Sequence, residues 1–235
     1  MAGSDEAPGA WEGRGMRYFD RRHAGEALAT RCLALVRTGA LTDPLVVALP
    51  RGGVPVAAVV ARALGAPLEV LVARKIGMPG RPEVGVGALV GEDPPVFDED
   101  ALAALGLTAE RLAEDVARER AELRRRQEVY RAGRPPLGAD EVAGRSVLLV
   151  DDGLATGVTA RAALRYLRRL EPARLVLAVP VGDAAAAAAL REEADDVECV
   201  HQPRNFRGVG EWYLDFEQVQ DAEVLSILRG SGTGV

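Results

Sequence analysis

The sequence predicts an α/β protein with a doubly wound, mostly parallel central sheet flanked by helices. Short apolar runs at 45–49, 68–73, 146–150 and 174–179 alternate with longer segments of helical period. The runs show little polar alternation, as expected of strands covered on both faces by helices. Turn-forming glycines, prolines and aspartates fall between the runs.

The 235 residues are 48% hydrophobic, enough for one substantial core. One domain over 16–229 is expected, between a disordered leader at 1–15 (MAGSDEAPGAWEGRG) and a flexible tail at 230–235. A net charge of -6 argues against nucleic acid as the main partner, although a local loop can still hold a phosphorylated substrate. Cys32 and Cys199 lack CxxC spacing and neighbouring histidine ligands, which points to buried thiols rather than a disulfide or metal site. With no apolar signal core and no run long enough to cross a membrane, the expected location is cytoplasmic.

Asp20 is placed to cap a helix running to about Thr38, with Ala24, Ala27, Leu28 and Leu35 on its apolar face. His23 in that helix reads as a surface or capping residue. A buried strand at 45–49 is broken by PRGG at 50–53, and a helix of small residues follows at 54–64. After the strand at 68–73 comes the polar, irregular RKIGMPGRPE, then a further short strand at 84–90. A long charged helix at 108–130 has a narrow apolar stripe, so it covers an edge or projects as an arm. Its glutamates make Arg124, Arg125 and Arg126 a solvated face rather than a nucleic-acid patch. Strand 146–150, helix 159–170, strand 174–179, helix 184–193 and strand 197–200 complete the alternation, placing the loops of chemical interest beyond the strand ends.

VLLVDDGLATGVTA at 147–160 carries the strongest signal. A buried strand delivers Asp151 and Asp152, Gly153 and Gly157 allow close backbone approach, and the next helix's first amides can surround a phosphate. Thr156 and Thr159 offer further donors, or simply helix caps. Neither GxxxxGK[ST] nor GxGxxG is present. Adjacent aspartates beside an apolar core repel each other and need a ribose diol, a divalent cation or nearby arginines. PRGG offers the Arg51 guanidinium and the amides of Gly52 and Gly53 to a second phosphate, or makes an ordinary turn. The aromatic stretch FRGVGEWYLDF at 206–216 offers Phe206 and Trp212 to stack on a planar base and Asp215 to accept from an N–H group, or else closes the core.

VLLVDDGLATGVT resembles the phosphoribosyl-pyrophosphate signature of type I phosphoribosyltransferases, and the resemblance extends over most of residues 17–228. It implies that Asp151 and Asp152 bind ribose hydroxyls directly or through magnesium. Ala155, Thr156, Gly157, Val158 and Thr159 would cradle the 5-phosphate. DDxLATGxT looks most like the adenine-specific branch; hypoxanthine–guanine enzymes usually carry an aspartate where this chain has Ala155. PRGG corresponds to the loop that contacts pyrophosphate, often through a cis peptide, expected here between Arg51 and Gly52.

Arg74 and Lys75 would compensate the leaving pyrophosphate, under a cover loosened by Gly77, Pro79 and Gly80; a surface-solubility role is the alternative. RKIGMPG is similar to the RKxGKLPG segment of adenine phosphoribosyltransferases without its tyrosine and glutamate, leaving Glu83 as the nearby carboxylate. FRGVGEWYLDF resembles the FVVGYALDY-like hood of hypoxanthine–guanine enzymes, with Phe206 at the stacking position and Asp215 at the carboxylate. Asp215 is also a third candidate metal ligand beside Asp151 and Asp152. His201 and Arg204 are the nearby substitutes for the lysine that reads the purine 6-oxygen there.

The resemblance implies a magnesium-dependent transferase in nucleotide salvage. It would move the phosphoribosyl group of phosphoribosyl pyrophosphate to a purine or related nitrogenous base. The alternatives are a regulator or binding module that senses phosphoribosyl pyrophosphate or a nucleotide, and a hydrolase or phosphotransferase on the same scaffold. The face of the 108–130 helix and the habit of this fold lead us to expect a homodimer.

Overall fold

The computed structural model describes residues 17–231, without the side chains of Pro82 and Glu83. The expected leader and most of the expected tail therefore lie outside the described residues, as does the side chain of the candidate Glu83.

Along the chain come α1 (Arg21–Arg37), β1 (Pro44–Ala48), α2 (Gly53–Leu64), β2 (Leu68–Val70), β3 (Ala73–Met78), β4 (Arg81–Val90) and β5 (Val96–Phe97). Then follow α3 (Glu99–Leu105), α4 (Ala113–Tyr130), α5 (Ala139–Val142), β6 (Ser146–Val150) and α6 (Val158–Arg168). The last elements are β7 (Arg174–Val181), α7 (Ala184–Leu190), β8 (Asp196–His201) and α8 (Asp221–Gly230). Asp20 caps α1 as expected, its Oδ1 accepting from the His23 amide at 2.8 Å. His23 Nδ1 in turn accepts from the Phe19 amide at 3.1 Å, so this histidine serves the helix start.

Five parallel strands form the central sheet in the order β2-β1-β6-β7-β8, the predicted doubly wound class. Successive side chains alternate between its faces. Val46, Ala48, Leu148, Val150, Val176 and Ala178 pack with buried residues of α1, α2 and α8. On the opposite face Leu45, Val47, Val147, Leu149, Leu175 and Leu177 pack with buried residues of α6 and α7. The strand order reverses between β1 and β6, which opens a crevice beyond their carboxyl ends.

Two expectations need correcting. The run at 68–73 is not one strand: β2 ends at Val70, and β3 starts a separate antiparallel sheet in the order β3-β4-β5. RKIGMPGRPE is consequently a hairpin rather than an irregular stretch. Its glycines mark a turn at Gly80 (φ +78°) and the register shifts where Gly77 faces Gly85. The 108–130 segment begins as a 3-10 turn at Glu110–Leu112, and α4 follows. It covers rather than projects, because Leu112, Leu123 and Tyr130 are buried in the main core. Its apolar stripe is thus used within the chain and no longer argues for a second copy.

The arginine run of α4 is ion-paired: Arg124 to Glu92, and Arg125 and Arg126 to Glu122. At the helix's end buried Arg131 pairs with Glu69 of β2 at 2.8 Å and with Glu141 of α5 at 2.7 Å. Cys32 and Cys199 are free thiols, pushed up to about 12 and about 11 by burial. No helix among the described residues is long and apolar enough to cross a membrane.

Candidate functional site

β6 delivers Asp151 and Asp152 to the crevice, and the chain turns through 153–157 into α6. Leu154 anchors that turn, its amide donating to the Val181 carbonyl at 2.9 Å. Gly157 takes the left-handed φ of +78° and is the N-cap of α6, with no side-chain cap bond. The first-turn amides have no intrahelical partners and remain available as donors. Neither Thr156 nor Thr159 caps the helix. A cavity of about 210 Å³ lies against this turn, lined by residues 153–160 together with Asp151, Lys75, Gly85 and Val209.

The two aspartates have different surroundings. Asp151 lines the cavity, and its Oδ1 accepts from the Asp152 amide at 2.8 Å. Burial, and then the charge of Asp152, push its carboxyl well above the usual range. Asp152 turns away from the cavity: its Oδ2 accepts from Arg21 Nε at 2.8 Å, and its side chain is 15% exposed. Burial raises this carboxyl as well, against the pull of Arg21. Gly52 lies directly over it, since a Cβ there would sit 1.9 Å from Asp152 Oδ2. PRGG is therefore packed onto the carboxylate pair.

The cis peptide joins Pro50 to Arg51, one bond before the expected Arg51–Gly52 link. The Leu49 amide still donates to the Val150 carbonyl, and Gly52 is already helical at φ -60° and ψ -34°. Arg51 Nη1 lies 3.4 Å from Asp221 Oδ1, and Asp221 also accepts from the Tyr130 hydroxyl at 2.5 Å.

Arg74 and Lys75 sit on β3. Arg74 pairs with Glu119 of α4 at 2.6 Å and lines a separate cavity of about 470 Å³, while Lys75 lines both cavities. Phe206 and Trp212 pack into the small cluster of Tyr18, Ala24, Val181 and Tyr213. The Trp212 ring meets His201 edge-on at 5.0 Å, and burial lowers the His201 pKa. Asp215 is exposed, its Oδ1 accepting from the Glu217 amide at 3.2 Å. Asp151, Lys75 and Ala155 to Thr159 are thus brought together around one cavity, with Asp152, Gly52 and Gly53 behind it. Phe206, Trp212 and Asp215 do not line it. Among the described residues no three His, Cys, Asp or Glu side chains converge as metal ligands, so Asp215 does not complete a set with the pair.

Sequence reasoning missed Arg21, Tyr213 and Phe216. Tyr213 donates its hydroxyl to the Asp152 carbonyl at 2.6 Å, and the Arg21 guanidinium lies 4.0 Å from the Phe216 ring centroid. One signal was available: α1 opens with two arginines and no acidic residue in its first turn, against the helix dipole. Such an arginine is placed for something other than its own helix.

A family model described as a phosphoribosyl transferase domain matches residues 21–217. Two Mycobacterium tuberculosis proteins, from strains CDC 1551 / Oshkosh and ATCC 25618 / H37Rv, have names that propose a phosphoribosyl transferase; each is 40% identical over 214 residues. The match takes in 91% of this chain but 47% of theirs, so the chain spans about half the length of these relatives. The crystal structure of TT1426 from Thermus thermophilus is similar at 43% identity and a TM-score of 0.71, covering 91% of this chain and 98% of that one. The chain belongs to the phosphoribosyl transferase domain family.

Proposed function

We propose that the chain transfers the phosphoribosyl group of phosphoribosyl pyrophosphate to a purine or related nitrogenous base. The observation that carries this reading is the cavity at the end of β6, where the uncapped start of α6, Asp151 and Lys75 meet. The 5-phosphate would lie on the amides of 155–159, with the ribose hydroxyls towards Asp151. The C1–O bond to pyrophosphate breaks with its electron pair leaving on oxygen, a base nitrogen forms the new C1–N bond, and the nitrogen's proton passes to solvent. Lys75 is the cation that lines this cavity, and Arg51 and Arg74 are the proposed cations for the leaving pyrophosphate from outside it.

The residues fit magnesium: Asp151 is a cavity-facing carboxylate whose charged form is disfavoured by burial and by its neighbour, and a cation would relieve both. When bound, magnesium would neutralise charge developing on the pyrophosphate. The acceptor side rests on Phe206, Trp212 and Asp215 as hood residues.

A sensing role is the second reading. Its support is that Arg51 and Arg74 are already paired with Asp221 and Glu119 rather than turned to a leaving group. Calorimetric titration with phosphoribosyl pyrophosphate, with and without magnesium, followed by pyrophosphate-release assays over purines, pyrimidines and small heterocycles, separates the two. Magnesium-dependent binding with release for one base is the expected result. Binding without release would favour the sensor, and no binding would overturn both.

A further inference from the structure

Asp151 and Asp152 are consecutive, yet among the described residues only Asp152 forms an ion pair, while Asp151 shares its cavity with Lys75. Arg21 reaches Asp152 from the first turn of α1, 131 residues away in sequence, at 2.8 Å. Both groups are largely out of solvent, with side-chain exposures of 11% and 15%. The guanidinium is held on its other sides too. Nη1 donates to the Glu217 carbonyl at 2.8 Å, and the Phe216 ring lies against it at 4.0 Å. Tyr213 holds the Asp152 main chain through its carbonyl at 2.6 Å, and Gly52 packs against Oδ2 with no room for a side chain between them. A guanidinium with this many fixed contacts is not a mobile surface charge.

We propose that Arg21 is a positioning residue that serves Asp152 as a built-in counterion, leaving Asp151 as the carboxylate that meets a divalent cation. This rests on the reading above only in placing a cation at Asp151. When both carboxyls are ionised, Arg21 offsets one of their two negative charges, so the site binds a bare divalent ion weakly until a phosphorylated ligand supplies further oxygens. Removing Arg21 exposes the full charge of two adjacent carboxylates. A role in folding alone would lower stability without tightening metal binding.

Manganese(II) alone is the probe, titrated by electron paramagnetic resonance against the full chain. Thermal unfolding of each variant is recorded alongside. Arg21→Gln should bind manganese about tenfold more tightly than the unsubstituted chain, a modest effect for one unit charge released at close range. The Arg21→Gln, Asp152→Asn double variant replaces both members of the pair by amides and should stay within about twofold of the unsubstituted chain. Asp151→Asn should lose at least about tenfold.

Unchanged or weaker binding by Arg21→Gln would overturn the proposal, and so would an equal loss in the double variant and in Asp151→Asn. If Arg21→Gln fails to fold, the double variant and Asp151→Asn decide by themselves. No manganese binding in any variant also overturns it. Phosphoribosyl pyrophosphate is absent throughout, so a chain that shows this pattern but does not bind that compound contradicts the transferase reading and leaves the role of Arg21 standing.

Discussion

The loop after β6 and the turn after β1 lie side by side at the carboxyl end of the sheet and treat charge differently. After β6 the donors are main-chain amides at an uncapped helix start, facing an open cavity. After β1 the donor is Arg51, already 3.4 Å from Asp221. On the proposed reading the first region is preorganised for an anion, since its amides have no helical partner to give up. The second must exchange a carboxylate for its ligand. The same contrast separates Asp151, facing the cavity, from Asp152, bound to Arg21.

The largest expected effect is at the cavity. Asp151→Asn should cost about a hundredfold in ribose 5-phosphate affinity, roughly 3 kcal/mol, read by calorimetry. The same change should stabilise the free protein. The folded carboxyl is raised above its unfolded value of about 4, so its contribution is complete below that pH and is lost as pH rises through the folded value. Asp151→Asn should therefore gain roughly 3 °C in unfolding midpoint at neutral pH and nothing near pH 3. A uniform loss at both pH values would break the contrast between the two aspartates.

Next comes Gly52→Ala. Its backbone is helical, so the cost comes from the Cβ placed against Asp152, roughly 2 kcal/mol by thermal unfolding. A neutral substitution would mean that the turn is not packed on the carboxylate. Asp221→Asn keeps an acceptor for Tyr130 while removing the charge beside Arg51. Pyrophosphate affinity should rise about threefold, and a fall would show that Asp221 orients Arg51 rather than restraining it. Smallest is Arg124→Gln, whose exposed pair with Glu92 should leave the thermal unfolding midpoint unchanged; a clear fall would show that the pair matters to stability.

Much of this architecture is legible in the sequence because parallel strands leave nearly continuous apolar runs, and the α6 loop carries its chemistry in consecutive residues. The β3–β4 hairpin was obscured because Gly77, Pro79, Gly80 and Gly85 look like breakers until the two strands are paired. Arg21 was obscured for a different reason. Its partner is 131 residues away, and only the fold brings the start of α1 beside the loop after β6. The hood residues were located as a stretch, but which aromatic faces what depends on the pairing of Tyr18 with Tyr213. That long-range bridge leaves no mark on either segment alone.

The loop from Asp151 to Thr159 is proposed to hold the phosphate of a phosphoribosyl group. The most direct test is amide chemical-shift mapping of the labelled protein during titration with ribose 5-phosphate, with ribose as the control. The account predicts saturable shifts concentrated at 153–160 with the phosphate ester and none with ribose. Shifts centred instead on the groove of about 580 Å³ between α1, α2 and α8, with 153–160 unmoved, would contradict it.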